Sequence, residues 1–230
     1  MVKWIMKQTW RNLLFVHWPV DPAWLQERLP HSLTADVFEG QAWIGLVPFE
    51  MDDIRFRGFP SIPRLSNLLE LNIRTYVTCS SKRGVYFFSL DASSAIGVEV
   101  ARSFFHLPYY RAKMMAEKEG ERTQFTSERL HKGAPSAKLH IEYGPASSEV
   151  IMKPSALDLW LTERYCLFTE KRGHLFRGDL DHEPWKLQLG TCIIHTDTIT
   201  VPFRRDESES LHILYAEELK TQFFPFVKLF

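Results

Sequence analysis

The chain has 230 residues, 26.9 kDa, 45% hydrophobic and 24% charged; this ordinary globular composition excludes a disordered or fibrous chain. Its 28 Lys+Arg balance its 28 Asp+Glu, and without the basic excess of a nucleic-acid binder no nucleic-acid partner is expected. The length suits one domain spanning 1–230, with a core large enough to need no disulfide or metal staple.

Arg11–Trp18 is apolar and aromatic and reads as a strand ended by Pro19. Asp21-Pro22 opens a short helix over Pro22–Arg28, because Asp caps free N–H groups and Pro fits the first helical position. Thr34–Phe38 and Gln41–Met51 flank Glu39-Gly40 as a hairpin, and Arg55–Pro63 reads as a loop. Glu70–Cys79 and Val85–Asp91 form strands around the polar stretch Ser81–Gly84, and Ala95–Phe105 suits a helix stopped by Pro108. Thr123–Leu130 and Ala137–Tyr143 read as a second hairpin, and Ser155–Thr162 as a short helix with a cap-like Ser. Strands near Glu163–Thr169, Gly173–Asp179, Trp185–Ile194 and Leu211–Glu217 complete a mainly β chain, a barrel or sandwich with short helices.

The longest stretches free of Asp, Glu, Lys and Arg, Gly40–Phe49 and Leu187–Thr196, are ten residues each, half of what a spanning helix needs. The N-terminal MVKWIMKQTWRNLL is broken by Arg11 and Asn12, so neither a signal peptide nor a membrane partner is expected. Cys79, Cys166 and Cys192 are odd in number and far apart, which suits a reducing cytoplasm.

ELNIRTYV carries the chemistry. With a period of two, Glu70, Asn72, Arg74 and Tyr76 share one face of the strand, and Leu71, Ile73, Thr75 and Val77 the other. Two readings stay open: the polar row meets solvent, as half-exposed antiparallel strands do, or it lines a cavity. In a cavity Arg74 suits a carboxylate, because its planar fork makes two parallel hydrogen bonds; Glu70 is then an acid–base group or Arg74's ion-pair partner. On the next strand Val85, Phe87, Ser89 and Asp91 share one side, and the apolar Tyr86, Phe88 and Leu90 suit the core.

Other groups read blandly. His17 and His182 suit edge or core positions, no histidine pair has metal-ligand spacing, and Cys166 reads as a buried inert thiol. No phosphate loop or nucleophile motif occurs, so neither a cofactor nor a metal is expected. The apolar C-terminal TQFFPFVKLF suits either core packing or a partner surface that would build a homo-oligomer.

The blocks HWPVDPAWLQERLP, DVFEGQAWIGLVPFEM, ELNIRTYV, GVYFFSLDA, LPYYRAKM, LTERYCLF and HEPWKLQ resemble those of the DUF2071 or YqjF-like family, over His17 to Gln188. That family is grouped with the acetoacetate decarboxylase-like superfamily, so the resemblance implies a β-barrel with an internal cavity. It also implies a pocket role for Glu70. The decarboxylases carry adjacent lysines after a proline, one forming an imine with the substrate; a neighbouring cation or desolvation lowers its pKa. Here Tyr109 and Tyr110 follow Pro108, and no Lys-Lys pair exists in the chain. Lys113 stands two residues from Arg111, which on a strand puts both on one face, as a solvated pair or as a lysine with a lowered pKa.

The resulting expectation is a cytoplasmic barrel protein that binds, or binds and transforms, a small anionic organic acid. Arg74 anchors the anion, Glu70 moves a proton or holds Arg74, and Asn72, Tyr76, Tyr109 and Lys113 complete the pocket. The alternatives are a non-catalytic ligand sensor and an interaction module using Phe223, Phe224 and Phe226.

Overall fold

Residues 2–60, 68–203 and 210–230 are described by the structure, a computed structural model. In chain order the elements are β1 (Met6–Val20), α1 (Pro22–Gln26), β2 (Thr34–Ala35), β3 (Ala42–Phe56), β4 (Leu68–Cys79), β5 (Lys82–Ala92) and α2 (Ala95–Val100). β6 (Tyr109–Glu119), β7 (Arg122–Arg129), β8 (Lys138–Pro145), α3 (Ala156–Thr162), β9 (Cys166–Lys171) and β10 (His174–His182) follow. β11 (Leu187–Asp197), β12 (His212–Phe223) and β13 (Val227–Lys228) complete the chain.

The helices start where the sequence places caps. Asp21 accepts from the Trp24 N–H at 2.7 Å ahead of Pro22. Ser155 and Asp158 form a reciprocal capping box at α3. The helix expected over Ala95–Phe105 changes pitch at Ala101, where a π-helical turn runs to Phe105 and ends on left-handed His106.

The strands form a thirteen-stranded sheet in which β4 also pairs with β5 and β10 with β12. Two strands branch. β5 pairs in parallel with β9 at Val85–Tyr86 and with β6 at Leu90–Ala92. β12 pairs with β11 at Leu214–Ala216 and with β10 at Thr221–Phe223. The pairing path through β6, β7, β8 and β11 and the path through β9 and β10 therefore share the strands β12, β1, β3, β4 and β5.

That branching covers both faces of the shared strands. On one face Leu14, Val16, Ile44, Leu46, Leu71 and Ile73 pack in a core with Phe125, Ile141 and Tyr143 of β7 and β8. On the other, Leu13, Phe15, Val47, Phe49 and Leu68 pack with Trp185. Most of the polar row of β4 accordingly does not meet solvent: Glu70, Asn72 and Tyr76 are 3%, 4% and 0% exposed, and Arg74 is half-buried.

Three local expectations change. β2 pairs with β4, Thr34 opposite Thr78, and only a Phe38–Gln41 bridge remains of the expected hairpin with β3. β3 continues through Arg55 and Phe56, because their neighbours Met6 and Lys7 on β1 extend its ladder; Ser61–Pro63 of the expected loop lie outside the described residues. In β5, Ile73 faces Ser89 but Arg74 faces Phe87, so Phe88 is an extra residue. This bulge switches which side chains share a face.

Candidate functional site: a cavity beside the Glu70 row

The face of β4 that turns away from the main core borders a cavity of about 190 Å³. Its wall is largely aromatic and aliphatic, with Trp10, Phe49, Phe87, Phe105, Trp185 and Phe226 among its members. The bulge in β5 brings Val85, Phe87, Leu90 and Ala92 onto this wall and turns Ser89 and Asp91 away. Asp91 instead forms a buried ion pair with Arg129 at 2.8 Å.

Glu70 is the acid in this apolar wall. Pro108 follows the π-helical turn, and the parallel pairing of Leu90 with Tyr109 then sets β6 beside β5. The Tyr109 hydroxyl donates to Glu70 Oε2 at 2.6 Å, and Asn72 Nδ2 lies 3.4 Å from Oε1. Burial pushes the Glu70 carboxyl up to about 7, because removing an anion from water outweighs the opposing hydrogen bonds from Tyr109 and Asn72; nearby Asp91 adds to the rise. Burial, and then the Glu70 carboxylate, raise Tyr109 well above the ordinary phenol range. Near neutral pH Glu70 can gain or lose a proton while Tyr109 keeps its own and stays a hydrogen-bond donor.

Arg74 lines the same cavity. Its guanidinium carbon lies 5.3 Å from the Phe15 ring centre and 5.7 Å from that of Tyr76. Among the described residues its side chain makes no ion pair, with Glu70 or any other acid, and its Nε is buried without an acceptor. Gly45 lies opposite it on β3, where a Cβ would stand 3.4 Å from Arg74 Cγ and 3.0 Å from His17 Cδ2.

Tyr76 sits behind Arg74 and does not border the cavity. Its hydroxyl lies 2.6 Å from His17 Nε2, and its ring packs 4.9 Å from Trp160. Burial, with Arg74 and His212 nearby, holds His17 well below the usual histidine range, so it stays neutral. Asn72 likewise touches Glu70 from outside the wall.

Lys113 is not in the cavity. It is exposed on β6, opposite Glu128 on β7, because Ala112 and Met114 take the inward positions of that strand. No lysine lines the cavity among the described residues.

The structure adds two polar residues whose place the sequence pattern does not reveal. Arg164, just after α3, donates from Nε to the Trp160 carbonyl at 2.7 Å and from Nη1 to Asp36 Oδ2 at 2.6 Å, and its Nη2 is buried without an acceptor. Its only sequence signal is a charge at the head of the apolar YCLF run; its partner Asp36 lies 128 positions away. His182 Nδ1 lies 2.8 Å from the Glu183 carbonyl, which can only accept. In the neutral ring this leaves Nε2 as an acceptor beside the Tyr165 and Trp185 rings. Among the described residues no group of three His, Cys, Asp or Glu side chains could hold a metal ion.

The C-terminal aromatics divide. Phe223 and Phe226 are part of the cavity wall, with Phe226 5.5 Å from Phe105 across it. Phe224 is half-buried, and its N–H bonds to the Asp179 carbonyl at 3.0 Å.

This arrangement of strands and short helices is similar to the fold of the acetoacetate decarboxylase-like proteins. The chain is similar to the acetoacetate decarboxylase of Legionella pneumophila subsp. pneumophila str. Philadelphia 1, with a TM-score of 0.66 and 14% identity over 98% of this chain and 87% of that one. It is also similar to the enduracididine biosynthesis enzyme MppR complexed with pyruvate, with a TM-score of 0.64 and 11% identity over 99% and 91% of the two chains. At these identities the likeness is one of fold. In sequence, residues 7–220 match the DUF2071 family, an uncharacterized conserved protein, and the chain belongs to that family. It is 43% identical over 226 residues to the uncharacterized protein YqjF of Bacillus subtilis (strain 168), covering 98% of this chain and 93% of that one.

Proposed function

We propose that the cavity binds a small organic acid. Arg74 anchors the carboxylate, and Glu70, backed by Tyr109, exchanges a proton with the bound molecule. The observation that carries this reading is one wall holding both a guanidinium without a carboxylate partner and a buried acid raised to about 7. Charges removed from water normally come paired, and Arg74, though half-buried, holds its Nε away from solvent without an acceptor among the described residues; perturbed acids in clefts gather at functional sites. We read the returning strand pairing as a barrel wall, the whole chain as one domain, and the three cysteines, odd in number and far apart in sequence, as support for a cytoplasmic location. A small organic acid, pyruvate, is bound in the similarly folded MppR, which supports the ligand class. The lack of a lysine along the cavity speaks against an imine route and favours proton transfer or simple binding.

Calorimetric titration of small monocarboxylates against the wild-type chain and a folded Arg74→Gln variant tests the proposal. Binding is expected to fall roughly tenfold or more in the variant, the worth of a charge-assisted hydrogen bond. Equal affinity in the two proteins would refute Arg74 as the anchor.

A further inference from the structure

Arg164 is fixed on two of its three nitrogens. Nε is taken by the Trp160 carbonyl and Nη1 by Asp36, which leaves Nη2 buried and open. Its side chain is 4% exposed and its residue lines the same cavity as Arg74. The two guanidinium groups approach one ring: Arg164 Cζ lies 5.0 Å from the Tyr76 centre and Arg74 Cζ 5.7 Å. Asp36 balances Arg164, and Arg83, which also binds Asp36 at 3.2 Å, is exposed to solvent, so Arg74 is the surplus cation. His17, held neutral, adds no charge. The region around Tyr76 thus carries a surplus of positive charge and, among the described residues, two buried guanidinium donors without acceptors. An unmade hydrogen bond from a buried charged group is costly, so these donors mark the place of a missing acceptor.

We propose that Arg164 is the second arm of a two-guanidinium clamp, and that the clamp selects monocarboxylates with an aromatic body. This deepens, and rests on, the reading of Arg74 as an anion anchor. The clamp supplies donors for both oxygens of one carboxylate. One surplus cation matches one negative charge, so a phosphate dianion is disfavoured. The size of the cavity sets the body: cavities of about 150 Å³ hold a benzene ring, so about 190 Å³ takes a ring with a carboxylate. Trp10, Trp185 and Phe87 line the cavity and supply an apolar wall for that ring.

Phenylacetate, phenylacetamide and phenyl phosphate titrated against the wild-type chain, Arg74→Gln and Arg164→Lys form the test. Arg164→Lys keeps the charge beside Asp36 but loses the forked donors. Phenylacetate is expected to bind the wild type at least tenfold more tightly than either analogue, and Arg164→Lys to weaken it roughly tenfold or more. Should Arg164→Lys not fold, the guanidinium ¹⁵N resonances of the wild type give a second readout, and Arg164 and Arg74 are expected to shift with one binding curve. Loss of binding in Arg74→Gln with none in Arg164→Lys, or with no Arg164 shift, would overturn the clamp and leave the Arg74 anchor standing. Unchanged binding in Arg74→Gln would overturn both, and no binding of phenylacetate to the wild type would overturn the aromatic clamp.

Discussion

Glu70→Gln should change how the stability of the protein depends on pH. The folded-state carboxyl is raised to about 7 from an ordinary value of 4.5, mainly by burial. Between those values the folded chain holds a proton that the unfolded chain has released, so stability falls as pH rises. The contribution is fully present below about pH 4.5 and is lost by the time pH has passed through about 7. At about 1.4 kcal/mol for each pH unit, the ionised Glu70 costs about 3 kcal/mol. The Gln side chain has nearly the same shape and cannot ionise, so the variant should lack this slope. His17, held neutral by burial, imposes the opposite trend, since its unfolded form takes up a proton as pH falls. That trend is common to both proteins and cancels in their difference. Urea unfolding at steps from about pH 4.5 to 8 measures the difference. The variant should gain about 3 kcal/mol relative to the wild type across this range, most of it between about pH 5 and 7.5. A flat difference curve would refute the claim that Glu70 is an acid held protonated by its surroundings.

Three further outcomes follow from the same geometry. Tyr109→Phe removes the 2.6 Å hydrogen bond that opposes the rise in Glu70; its carboxyl should titrate higher still, read from the carboxyl stretch in infrared difference spectra. Gly45→Ala puts a Cβ 3.0 Å from the His17 ring; thermal unfolding should show a loss of about 1–3 kcal/mol, the usual cost of overpacking. Lys113→Ala, at an exposed position on β6, should leave stability within about 0.5 kcal/mol and calorimetric affinity for monocarboxylates unchanged. A large effect on binding would mean that Lys113 reaches the cavity.

The polar row on β4 was legible because a strand's period of two needs only local sequence. Glu70 and Arg74 border one cavity, while Asn72 and Tyr76 of the same row stand outside its wall, and the fixed positions of Asp21-Pro22 and Ser155 started their helices on cue. What covers the row was not legible. The choice between solvent and cavity depends on β5 and β12 each changing partner part-way along, and those pairings join residues far apart in sequence. The assignment of faces on β5 failed at Phe88, where one extra residue reverses the alternation and sends Leu90 to the cavity and Asp91 to Arg129. Tyr109 reaches Glu70 by a parallel pairing of only three residue pairs, which leaves no periodic signal. Arg164 escaped for a related reason, since its role rests on Asp36, Trp160 and Tyr76 meeting in space. The alternation of Ala112, Met114 and Ala116 inward with Lys113 and Met115 outward marks β6 as a strand with one wet face, and it explains why Lys113 lies outside.

A crystal structure with phenylacetate diffused into the crystals would test the central claim most directly. The account predicts the carboxylate within hydrogen-bond distance of the Arg74 guanidinium and the ring against Trp10 and Trp185, beside Glu70. An empty cavity at saturating phenylacetate, or a carboxylate bound away from Arg74, would contradict it.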